Sequence, residues 1–364
     1  MKQLLTALFL SLFCSTVIAQ QHLKDMFCDD FLVGTAIDVW DINNPDPVLH
    51  ELIRNEFSAV VPINSMKAEH TEPHEGVFTF AKGDAVVDYA ARNGMVLTGH
   101  CLVWHSQCPP WMFGADADGR PVDRELLINR MRNHIYGVVG HYRGRVRGWD
   151  VVNEAIENDG SWRQSKYYQV LGDEFVYLAF QFAHEADPDA ELYYNDYGME
   201  SPQKREAVVR MVRELKARGL RIDAIGMQSH LSLWTNLDEY EKSIEAFVAE
   251  GVKVMATELD VSVLPWPDEM PNADINTRFE YQERFNPYRD GLPAEIEAQQ
   301  AEFYSRLFEI YRRHSQYITR VTFWGVHDGT SWLNNFPICG RTNYPLLFDR
   351  QLKRKPFVDS MLER

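Results

Sequence analysis

Two glutamates stand where charge is least expected. Glu154 closes the run Trp149-Asp150-Val151-Val152-Asn153-Glu154, and Glu258 lies in Val254-Met255-Ala256-Thr257-Glu258-Leu259-Asp260. Each follows an apolar stretch that would otherwise avoid a carboxylate. Cleaving a glycosidic bond with retention needs one carboxylic acid to protonate the leaving oxygen and one carboxylate to attack the anomeric carbon, about 5–5.5 Å apart. An isolated strand-end glutamate more often pairs with a nearby Lys or Arg than does chemistry. The company these two keep reverses that weighting. His230, two residues beyond Gln228 and so on the same side of an extended chain, could donate to Glu258 and keep it ionised and aimed. His100 and His105 are not spaced as a metal-ligand pair, and neither HExxH nor paired Cys occurs, so neither a metal nor another cofactor is expected.

Residues so far apart in sequence need a fold that gathers them. Eight short apolar runs alternate with amphipathic stretches: Phe31–Asp38, Ser58–Met66, Met95–Trp104, Val146–Glu154, Glu191–Asp196, Ala224–His230, Lys253–Asp260 and Ile318–Val326. This is the rhythm of βα units around a parallel sheet. Between them Val208, Met211, Val212 and Leu215 mark one helix face, which Gly219 ends. Six runs finish in polar or aromatic residues: Asn64 and Lys67, His100 and Trp104, Asn153 and Glu154, Gln228 and His230, Glu258, and Trp324. A (β/α)8 barrel collects C-terminal strand ends into one mouth. Trp104, Trp324 and Trp332, among nine tryptophans, offer flat surfaces that suit pyranose rings.

The stretches Gly99-His100-Cys101-Leu102-Val103-Trp104-His105-Ser106-Gln107, Trp149 to Ala155, Tyr194-Asn195-Asp196-Tyr197, Gln228-Ser229-His230, Thr257-Glu258-Leu259-Asp260 and Trp324-Gly325-Val326 resemble glycoside hydrolase family 10 xylanases. The resemblance runs in order from about Phe31 to the C-terminus. It implies a single-domain (β/α)8 TIM barrel and retaining hydrolysis of internal bonds of β-1,4-xylan, with Glu154 as acid/base and Glu258 as nucleophile. It implies further that Asn153 holds the 2-hydroxyl of the −1 sugar, that Lys67, His100, Gln228 and His230 complete that subsite, and that Asn64 serves −2. Trp104 and Gln107 belong to the same substrate-binding set, and Trp324 and Trp332 resemble the aromatic cover over the donor sugars. Where many relatives carry Glu before Asn64, this chain has Ile63, and strand seven is followed by an insertion at about 264–293 with Trp266, Tyr281, Phe285 and Tyr288. A loop of that length is as readily a binding element as a surface appendage. A β-1,4-glucanase or cellulase activity, or a glycan-binding barrel without turnover, are the alternatives.

Composition agrees with a neutral polymer as partner. The net charge is −16, and beyond Lys353-Arg354-Lys355 there is no basic cluster for nucleic acid or anionic membrane. Residues 1–19, with Lys2, the apolar run from Leu4 to Phe13 and Val17-Ile18-Ala19, have the shape of a signal peptide, so residues 20–364 form the mature barrel. That apolar run is too short to span a bilayer, and no later stretch is long enough. Phe13 is not the small residue that a lipoprotein needs before its Cys, here Cys14, so export to the periplasm or medium without a lipid anchor is expected. A monomer is expected. Cys28, Cys101, Cys108 and Cys339 allow up to two disulfides in three connectivities, although Cys101 lies in an apolar strand and suits a buried thiol.

Overall fold

The computed structural model describes residues 21–116, 118–267 and 275–361. The signal-peptide reading therefore falls outside the described residues. Nine strands make a closed parallel barrel of eight staves: β1 (Leu32–Ile37), β2 (Ala59–Pro62), β3 (Val96–Trp104), β4 (Gly148–Asn153), β5 (Glu191–Asp196), β6 (Ala224–Met227), which resumes as β7 (His230–Ser232), β8 (Lys253–Ser262) and β9 (Ile318–Phe323). Each stave pairs in parallel with the next, β1 closes against β9, and β6 and β7 both run beside β8. All eight expected runs are present: the fifth keeps its expected bounds, the seventh runs two residues further to Ser262, and the sixth breaks after Met227 and resumes at His230. The second stops at Pro62, so Asn64 and Lys67 stand on the turn beyond it.

The strands are buried on both sides because side chains fill the barrel inside while helices cover it outside. The helix Pro202–Ala217 shows how sequence sets an outer element. Ser201 accepts a hydrogen bond from the Lys204 amide, Pro202 occupies the first turn, and Ala207, Val208, Met211, Val212 and Leu215 face the barrel. Gly219 then takes φ 73°, the left-handed conformation that lets the chain leave the helix. Among the described residues no helix is long and apolar enough to cross a membrane.

Three local features matter for the cleft. Gly99 on β3 pairs with Trp149 on β4, and a Cβ at Gly99 would lie 2.2 Å from the indole, so glycine is what lets Trp149 bury itself there. The described part of the insertion packs on the loop after β9: Phe279 N donates to Pro337 O, Thr342 N to Asn286 Oδ1 and Tyr344 OH to Tyr288 O, while Arg341 lies over Trp266 and Arg278 over Phe336. Phe336 in turn stacks on Trp332 at 4.9 Å, which makes this part of the insertion a backing for that loop. At the opposite end of the barrel the buried carboxylate of Glu56 accepts from Leu23 N (2.9 Å) and Arg354 Nη2 (2.6 Å), clasping the first and last segments. The four cysteines are free thiols, Cys101 buried and Cys28 and Cys339 exposed, so the structure bears none of the disulfides the even count allowed.

Because the Gly99 site has no room, Gly99→Ala should lower stability by about 1–3 kcal/mol as Trp149 is forced aside. Urea denaturation of the two proteins checks this, and an unchanged midpoint would mean that the indole relaxes freely.

Candidate active site

At the end of β4 the chain turns sharply, with Glu154 at φ 58°. Backbone of this kind costs a non-glycine residue about 1–3 kcal/mol and persists only where its surroundings hold it. Here Glu154 N donates to Asn195 O (2.9 Å) and Arg163 Nε donates to Glu154 O (2.7 Å). The turn aims a buried carboxylate into the mouth. Its Oε1 accepts from Gln228 Nε2 and its Oε2 from Trp104 Nε1, both at 2.9 Å. His105 Nδ1 stands 4.0 Å from the same Oε2.

From Glu154 a run of amides crosses the barrel to the second carboxylate. Gln228 Nε2 also donates to Asn153 Oδ1 (3.2 Å), Asn195 Nδ2 donates to the same Oδ1 (3.0 Å), and Asn195 Nδ2 donates to Glu258 Oε1 (2.8 Å). Thr257 Oγ1 donates to Asn195 Oδ1 at 2.6 Å, which sets the orientation of that amide. With its oxygen held by two donors, Asn153 has its N–H groups to offer a ligand.

Glu258 is buried on β8. His230 Nε2 donates to its Oε2 at 3.2 Å, and His230 Nδ1 lies 3.1 Å from Asp260 Oδ2. Trp332 Nε1 donates to that Asp260 oxygen at 2.7 Å. Burial alone would lower the His230 pKa, but the charge of Asp260 and its contact with the ring, reinforced by Glu258, raise it to about 10. The imidazole is therefore a cation between two carboxylates at neutral pH. Burial likewise pushes the Glu258 pKa up, yet the His230 hydrogen bond, the His100 and His230 charges and the Asn195 amide outweigh it, and the net shift is downward. Glu258 is thus held ionised, as a nucleophile must be.

The other expected residues gather beside this pair. Lys67 Nζ donates to Gln107 Oε1 (2.7 Å) and Asn64 Oδ1 (3.1 Å), and burial lowers its pKa against the pull of the surrounding anionic groups. Gln107 also donates to Asn64 Oδ1 and Glu69 Oε1, so both ends of its amide are engaged within the protein. His100 Nδ1 donates to Asp150 Oδ2 at 2.9 Å. Trp104 is also engaged within the protein: its N–H holds Glu154, and Lys67 Nζ lies 4.7 Å from the centre of its ring. Trp324 packs edge-on to His100 and His230, and with Ala36 and Val61 forms an apolar patch against which Ile63 and Trp332 rest. Gln228 and His230 were expected to point one way along one strand. Instead the strand breaks at Ser229, φ 66°, and the two side chains serve opposite carboxylates.

Sequence reasoning gave no role to Asn195, Thr257, Asp260 and Asp150, whose contacts orient Asn153, Glu258, His230 and His100. The signal available was polar residues inside apolar strands: Asn195 at the end of β5, and Asp260 two residues past Glu258 on one strand face.

Residues 22–364 match the profile of Glycosyl hydrolase family 10. Endo-1,4-beta-xylanase A of Xylanibacter ruminicola is 50% identical over 345 residues, spanning 94% of this chain and 93% of that protein. A GH10 endoxylanase retrieved from a sugarcane soil metagenome has a similar structure, with a TM-score of 0.89 and 43% identity over 94% of this chain and 99% of that one. An intracellular xylanase from Thermoanaerobacterium saccharolyticum, solved as a mutant with xylotetraose, gives a TM-score of 0.82 at 36% identity over 94% and 98% of the two chains.

The His230 cation carries a pH signature. Its pKa stands above the ordinary 6.5, so the stabilisation from its ion pairs is complete below about pH 6.5 and is lost as pH rises through about 10. In Asp260→Asn the main attracting charge is gone and the midpoint should fall toward neutrality. NMR titration of 15N-labelled histidine reads both midpoints; equal values in the two proteins would remove Asp260 as the source.

Proposed function

This chain belongs to glycosyl hydrolase family 10, and on that premise we propose that it is an endo-1,4-β-xylanase that cleaves internal bonds of xylan by a retaining double displacement. The observation that carries the proposal is the pair of glutamates in contrasting surroundings, joined through Gln228, Asn153 and Asn195. In the first step an oxygen of Glu258 attacks the anomeric carbon of the −1 sugar as Glu154 passes its proton to the departing oxygen. In the second, Glu154 takes a proton from water, which attacks the same carbon and frees Glu258. The N–H groups of Asn153 serve the 2-hydroxyl of the −1 sugar, where a hydrogen bond that strengthens in the transition state lowers the barrier. Lys67 and His100 bound the same sugar.

Xylan as substrate is supported by the named activity of the relatives and by the xylotetraose bound to one of them. A polymer of that size does not cross a membrane, so the proposal includes export, for which residues 1–19 have the composition. At −2, Asn64 supplies hydrogen bonding beside Ile63, whose apolar side chain rests on the patch under Trp324 and Trp332. A glutamate there would accept from a sugar hydroxyl; isoleucine gives only contact.

Reducing-sugar release from xylan and from carboxymethylcellulose tests the substrate: release from xylan above blank and well above that from the cellulose derivative is expected. No release from either would favour a glycan-binding barrel, and equal release a β-glucanase. Glu258→Ala should abolish xylan hydrolysis, and with azide it should convert an activated aryl xylobioside to the α-glycosyl azide, because a small anion fills the vacated face. A β-azide would place the nucleophile elsewhere. Ile63→Glu should raise kcat/KM on aryl xylobioside about 3- to 10-fold and leave aryl xyloside unchanged. A matching gain on xyloside would show that position 63 acts on the chemistry instead.

A further inference from the structure

Beyond β1 the chain makes a short helix, Val39–Ile42, whose second residue, Trp40, is 50% exposed while Asp38 and Asp41 beside it are buried. Among the described residues Trp40 and Trp234 are the tryptophans left this open to water, and Trp40 is the one that stands beside the turn carrying Asn64. The helix is firmly set. Asp38 Oδ1 accepts from Val39 N (2.8 Å), Asp41 Oδ2 accepts from Asp38 N (2.9 Å), and the helix packs against Ala81–Arg92. Asp38 Oδ2 accepts in addition from Asn64 N (2.8 Å) and Ser65 N (3.2 Å). One carboxylate thus ties the turn that presents Trp40 to the turn that presents Asn64.

The order of strands supplies direction. Glu154 and Glu258, on β4 and β8, divide the rim into two arcs. The arc of β9, β1, β2 and β3 carries Trp324, Trp332, Asn64 and Lys67; the other carries β5 and the stave β6–β7. Within the first arc β1 lies between β2 and β9, flanked on both sides by the strands that carry the donor-side groups. A chain of sugars leaving the −2 position on this side has the turn after β1 ahead of it.

We propose that the exposed indole of Trp40 forms a further donor subsite, −3, on which a xylosyl ring stacks beyond the sugar held at Asn64. The inference rests on the reading of the protein as a xylan hydrolase. Stacking suits this sugar because a xylopyranose has no hydroxymethyl group, and its C–H face lies flat on an aromatic ring. A contact of that kind is non-directional and needs no hydrogen-bonding partner on the protein, which fits a platform open to solvent.

Release of the aryl group from an aryl β-xylobioside fills −2 and −1, whereas release from an aryl β-xylotrioside fills −3 as well. The wild-type enzyme should show a kcat/KM about 3- to 10-fold higher on the trioside. Trp40→Ala should remove that gain with the bioside rate unchanged, and Trp40→Phe should keep part of it. Thermal melts of the variants should match wild type, since the side chain is half exposed. A trioside rate untouched by Trp40→Ala, or equal losses on both substrates, would overturn the subsite while leaving the xylanase reading intact. A wild-type enzyme that hydrolyses neither glycoside would overturn that reading and the subsite with it.

Discussion

One run of hydrogen bonds and ion pairs connects the parts of the mouth that have to act together: Trp332 to Asp260, His230, Glu258, Asn195, Asn153, Gln228, Glu154 and Trp104. Each amide in it is oriented by its neighbours. Thr257 holds the oxygen of Asn195, which leaves Asn195 a donor; Asn153 must then accept, and its N–H groups are left for a sugar. Turning Asn153 would oppose donor to donor, and turning Asn195 or Gln228 would set an amide oxygen against the oxygens of Asn153 and a glutamate. A buried polar run is stabilising only when every member is satisfied, so the same constraint that aims the carboxylates makes the mouth rigid.

The barrel brings these residues together, but regular strands alone would not aim them. Of the four non-glycine residues with positive φ among the described residues, three are Gln107, Glu154 and Ser229, all at the mouth. At each the chain departs from the extended form so that a side chain leaves the direction its strand would impose. The surrounding hydrogen bonds oppose the cost, as Asn195 O and Arg163 do for Glu154. Strain is thus stored beside the reacting groups, where precision of placement matters most.

This division explains what could be read from the sequence. The eight staves announce themselves through alternation of apolar runs and helices, and Glu154 and Glu258 through charge where none belongs. What stayed hidden depends on geometry finer than a period of two. The break at Ser229 sends Gln228 and His230 to different partners, although alternation put them on one side. Trp104 reads as an aromatic surface, with no sign that its single N–H is engaged by Glu154 and its ring approached by Lys67. Asn195 looks like any strand end until Asn153 and Glu258 stand on either side of it. The insertion's contact with the loop of Trp332 is made by residues with no periodic pattern. An even number of cysteines did not translate into pairs.

The clasp at Glu56 bears on how the molecule opens. Because one buried carboxylate is shared by Leu23 and Arg354, releasing either segment strands a desolvated charge against the other. Fraying, which in most domains begins independently at each terminus, is here coupled between segments some 330 residues apart in sequence. Amides in the first helix and beside Arg354 should therefore exchange with solvent through a common opening, which makes the base of the barrel a cooperative unit of its own, held apart from the network that fixes the mouth.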